Sequence, residues 1–122
     1  MSQYITNKIE TLVPAGTSFG TAILTDEVKL DNFQSVKVVI TSGEGDEATT
    51  TARILAVVGE ETKVIREVEI TVGGNNENTI DFVADEIAKY DATGFKVSVD
   101  AIAESTLKGG IVAVFGEARY SE

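Results

Sequence analysis

The sequence predicts an all-β fold, an antiparallel β-sandwich or jelly-roll-like domain of about eight strands with at most one short helix. Runs rich in Val, Ile and Thr recur every 8 to 15 residues or so, and clusters of Gly, Asn and Asp separate them. Within several runs apolar and polar residues alternate, which is the period-two mark of a strand with one dry face. A chain of 122 residues lies in the single-domain range, so residues 1–122 are expected to form one sandwich, with residues 1–13 an edge strand or interaction arm.

The first run extends from Ile5 to Val13, with Ile5, Ile9 and Val13 on one parity, and Pro14 is expected to end it. Gly20 to Leu24 and Val28 to Leu30 supply two short pieces, and Asp31 to Gln34 reads as a turn that drops Phe33 into the core. Ser35 to Ser42 alternates cleanly, Val36, Val38 and Ile40 against Lys37 and Thr41. In Thr49 to Val58, Ala52, Ile54, Ala56 and Val58 share one face, while Leu55 and Val57 make the other face apolar too, as a central strand requires.

Gly59 to Thr62 then turns that strand into a hairpin with Lys63 to Val72, in which Val64, Val68, Ile70 and Val72 are expected to point inward. Arg66 shares the inward parity, which predicts either a rim position with a carboxylate partner or a bulge that switches the register. Gly73 to Asn78 is a loop by composition, and Ile80 and Phe82 mark a short strand after it. Val83 to Tyr90 predicts one or two helical turns with acidic residues near the start. Phe95 to Ala103 alternates, with Phe95, Val97, Val99 and Ala101 inward, and the apolar stretch Ile111 to Phe115 predicts a strand covered on both faces or closing against another subunit.

Composition narrows the function classes. The chain contains no Cys and no His, so Ser-His-Asp and Cys-His catalysis, disulfides and zinc sites with His or Cys ligands have no residues to use. The acidic residues offer many carboxylate pairs, but they fall in loops rather than a sugar cleft, and no Gly-rich segment has the Lys-Ser/Thr of a phosphate cradle. An enzyme is therefore not expected, and no cofactor is implied. A net charge of −10 makes nucleic acid and anionic membrane surfaces poor partners, and no run of 18 apolar residues offers a helical membrane span. The start of the chain lacks the features of a secretory signal, so synthesis in a bacterial cytoplasm is expected.

Two groups of residues remain as candidate sites. Glu44, Asp46 and Glu47 form an acidic loop that offers oxygen ligands to Ca²⁺, although without the spacing of an EF-hand; the plainer reading is a solvated hairpin tip. Tyr4, Ile5, Ile9 and Tyr120 lie near the termini, where apolar strands without capping charges favour subunit exchange or strand addition; Tyr90 is a further aromatic of the same kind.

Thr/Val-rich strands such as Thr49 to Leu55 and Gly110 to Phe115, in an acidic chain of this length, resemble those of the small β-sandwich structural proteins of tailed bacteriophages, capsid decoration proteins in particular. The resemblance implies a non-enzymatic protein of the virion that stabilises an assembled shell. Its partners would be the major capsid protein or another virion protein, and it would form a homo-oligomer. The alternative is a bacterial surface- or carbohydrate-binding sandwich, against which stands the absence of Trp and the low aromatic content.

Overall fold

The structure, a computed structural model, describes residues 8–30 and 33–116. The strands are β1 (Lys8–Ser18), β2 (Ile23–Leu24), β3 (Val28–Lys29), β4 (Ser35–Ser42), β5 (Ala48–Val58), β6 (Glu61–Val72), β7 (Glu77–Val83), β8 (Gly94–Val99) and β9 (Lys108–Gly116), with the helix α1 (Ala84–Ala88) between β7 and β8. They form two antiparallel sheets. The first has the order β1-β9-β4-β7 and the second β2-β8-β5-β6, with β3 also paired to β8. Among the described strands only β5 and β6 are both consecutive and paired, so most of the fold is specified by contacts distant in sequence.

The alternating runs bury one face each. Val36, Val38, Ile40, Ile111, Ala113 and Phe115 of the first sheet meet Ala52, Ile54, Ala56, Phe95, Val97 and Val99 of the second, all 2% exposed or less. Aromatic rings bridge the two layers: Phe82 meets Phe95 edge-on at 5.0 Å, and Phe95 lies 6.2 Å from Phe115. Phe33 is half-buried against the core, 5.5 Å from Phe115, after a turn in which its N–H donates to the Leu30 carbonyl.

Four readings of the sequence change. Pro14 does not end the first strand: β1 continues to Ser18, because an edge strand needs no N–H at that position on its open side and the register with β9 shifts between Val13 and Thr17. Another register shift, between Thr11 and Val13, places Ile9 and Val13 on opposite faces, so Ile9 is 71% exposed while Val13 is buried. In β6, Ile65 is the extra residue of a bulge between the pairs Ile54 with Arg66 and Leu55 with Val64. The bulge turns Val64 outward, where it is exposed, and leaves Arg66 on the inward side. β8 ends at Val99, and Ala101 is exposed beyond it rather than inward.

Candidate functional site

The structure places the predicted site residues unevenly. Ile9 stands exposed on β1, while Tyr4, Ile5 and Tyr120 lie outside the described residues. Tyr90 is half-buried against the core just after α1. The chain enters the first sheet at Lys8 and leaves it at Gly116, on neighbouring strands at one end, since Lys8 is paired with Phe115.

The β1 edge is not the uncharged strand edge that the sequence suggests. Lys8 and Glu10 occupy its inward positions, opposite Phe115 and Ala113, and pair with each other at 3.3 Å. The Lys8 ammonium also lies 5.0 Å from the centre of the Phe115 ring. Inward charges, Pro14 and two register shifts are the devices that keep an edge from templating another strand. Beside this edge, Leu12, Pro14, Ile23 and Thr25 line a cleft of about 360 Å³ between the sheets.

The opposite flank is laced shut. Asn78 Nδ2 donates to the Thr71 carbonyl at 2.6 Å, joining β7 to β6. Arg66, freed by the bulge, makes an ion pair with Glu86 of α1. The other carboxylate oxygen of Glu86 accepts the Val83 N–H at 2.9 Å, which satisfies a donor at the helix start. Arg66 thus meets both sequence expectations, a carboxylate partner and a bulge.

The acidic loop is part of a clasp between two turns. Ser42 Oγ accepts the Gly73 N–H at 2.8 Å and donates to the Asn76 carbonyl at 3.2 Å. Gly74 and Asn75 donate to the carbonyls of Gly45 and Gly43, and Glu47 Oε2 accepts from Asn76 Nδ2 at 2.9 Å. Gly73 has φ 92°, and a β-carbon there would come within 2.6 Å of the Asp46 carbonyl oxygen, so the clasp requires glycine. Glu44, Asp46 and Glu47 do not converge: among the described residues no group of three acidic side chains is placed to hold a metal ion. Of the three, Glu47 is the carboxylate bonded within the clasp, through Asn76.

On the outer face of β5, Arg53 bonds to Glu67 of β6 at 2.7 Å and to Asp100 after β8 at 2.8 Å. These hydrogen bonds, that to Asp100 first and that to Glu67 next, raise the guanidinium pKa further. The pairing was hidden in the sequence because the Ile65 bulge, not the turn length alone, brings Glu67 opposite Arg53. The outer face of the first sheet is different. There Val39, Val112 and Val114 are half-buried, Ile9 and Val83 are exposed, and Ser35, Lys37, Asp81 and Gly116 border a hollow of about 320 Å³.

No protein-family model matches the sequence, and no curated protein matches it by sequence. Solved structures do match the fold. The SPBc2 prophage-derived protein YomS is similar over 96% of this chain and 98% of that one, with TM-score 0.61 and 13% identity. A structure of Bacillus endospore appendages, a family of disulfide-linked pili, is similar over 96% of this chain and 93% of that one, with TM-score 0.56 and 8% identity. One from the infectious bursal disease virus Gx strain matches 93% of this chain but 32% of its own, with TM-score 0.52 and 13% identity. At such identities the likeness is one of fold.

Proposed function

We propose that the chain is a non-enzymatic structural protein of a tailed-bacteriophage or prophage virion, a capsid decoration or stabilising protein that binds the major capsid protein or another virion protein and acts as an oligomer. The observation that carries this reading is the correspondence of fold, nearly end to end in both chains, with a prophage-derived protein. In it residues 1–122 act as one sandwich, and repeated shallow contacts rather than one deep pocket supply the binding energy. The acidic surface keeps the assembled particle soluble and disfavours contact with packaged nucleic acid.

The likeness to spore appendages does not extend to their chemistry, because a chain without Cys cannot be linked by disulfides. A carbohydrate-binding role lacks its usual platform: among the described residues every Phe and Tyr is buried or half-buried, so none offers an open ring for stacking. The test is mass spectrometry of purified particles from the source strain. Recovery at many copies per particle supports the proposal; absence from intact particles overturns it.

A further inference from the structure

The two outer faces of the sandwich differ in charge. That of the second sheet carries Arg53, Glu67, Glu69 and Lys96, with Asp100 bonded to Arg53. That of the first sheet carries Lys37, Lys108, Asp81 and Glu77 among its described positions, two positive against two negative, in a chain of net charge −10. With its charges balanced, this face sets little net repulsion against a second copy of so acidic a chain.

Strand pairing aligns this face in rows across β7, β4, β9 and β1. The central row is Thr79, Val39, Val112, Thr11, which reads the same in both directions. The next row is Asp81, Lys37, Val114, Ile9. At its two ends, Ile9 projects from the β1 side with 71% of its surface exposed, and a hollow of about 320 Å³, which the Arg66–Glu86 pair also lines, lies toward the β7 side.

We propose that this face binds a second copy of the chain about a two-fold axis running along the strands between β4 and β9. The operation lays Val39 over Val112 of the partner subunit, Thr79 over Thr11 of the partner subunit, and Ile9 toward the partner's hollow. Both copies gain the same contacts, as an isologous interface demands. Lys37 and Asp81, directly paired across β4 and β7, offset each other's charge beneath the contact. Four strands about 4.8 Å apart and four rows about 7 Å apart cover roughly 500 Å². Two copies then bury on the order of 1,000 Å², the lower bound of a specific interface, which suits a contact repeated within a larger assembly. The proposal deepens the structural-protein reading and rests on it.

The test is sedimentation velocity of the full chain over a concentration series, with Val39→Glu and Val112→Lys variants checked for fold by circular dichroism. The wild type is expected to dimerise reversibly, and each variant alone to associate at least tenfold more weakly. An equimolar mixture of the two variants is expected to regain dimer, because the two-fold sets position 39 of one chain against position 112 of the other. A wild type that stays monomeric, a dimer indifferent to both variants, or a mixture that fails to recover overturns the proposal. So does a monomer that dimerises once residues 1–7 are deleted, since the face is then covered by its own chain. None of these outcomes alters whether the protein is found in virions, so the two readings fail separately.

Discussion

Arg66 of the β6 bulge pairs with Glu86, and that same carboxylate accepts the Val83 N–H at the start of α1. One side chain therefore ties the edge of the second sheet to the end of the first and caps the helix between β7 and β8. The Arg66 and Glu86 side chains are 37% and 26% exposed, so solvent screening limits their coupling to about 0.5–1 kcal/mol. Loss of the acceptor at the helix start costs about 1 kcal/mol more. Glu86→Ala is expected to destabilise more than Glu86→Gln, which keeps an acceptor, and a double-mutant cycle with Arg66→Met in urea denaturation measures the pair alone.

Phe95 is fully buried and touches rings from both β7 and β9. Its replacement by Ala should cost about 3–5 kcal/mol, a large part of the stability of a domain this size. Equilibrium urea unfolding should show a much lower midpoint with little change in slope.

At Gly73, Ala combines a strained φ with a clash on the Asp46 carbonyl, and the expected loss is about 1–3 kcal/mol. Gly43→Ala is the control in the neighbouring turn, because its β-carbon would meet nothing closer than 3.6 Å and its φ lies outside the left-handed region. Thermal melts should separate the two variants clearly, with Gly43→Ala near wild type.

Because Glu44, Asp46 and Glu47 do not gather around a common point, millimolar Ca²⁺ should leave the melting temperature unchanged within error. A calcium-dependent rise abolished by Glu47→Gln would show that the loop rearranges to bind the ion.

Local alternation made several strands legible, and long-range pairing did not. Ser35–Ser42 could be bounded to the residue because Val36, Val38 and Ile40 alternate with polar neighbours and only one face is dry. Parity alone puts Ile9 on the face of Val13 and turns Val64 inward, and the structure departs from both, because a bulge adds one residue without an obvious mark in the sequence and one residue reverses the parity. The pairing of β1 with β9 joins the two ends of the described chain, so the charged inward positions Lys8 and Glu10 and the symmetric row through Val39 and Val112 emerge only once register is known. Arg66 was readable because a charge on a buried parity demands compensation.

The central claim, that this sandwich is a shell-binding structural protein, is tested most directly by titrating the purified chain onto particles stripped of it and measuring the bound copies after cosedimentation. The account predicts saturable binding at many copies per particle. Particles that sediment without the protein at every concentration would contradict it.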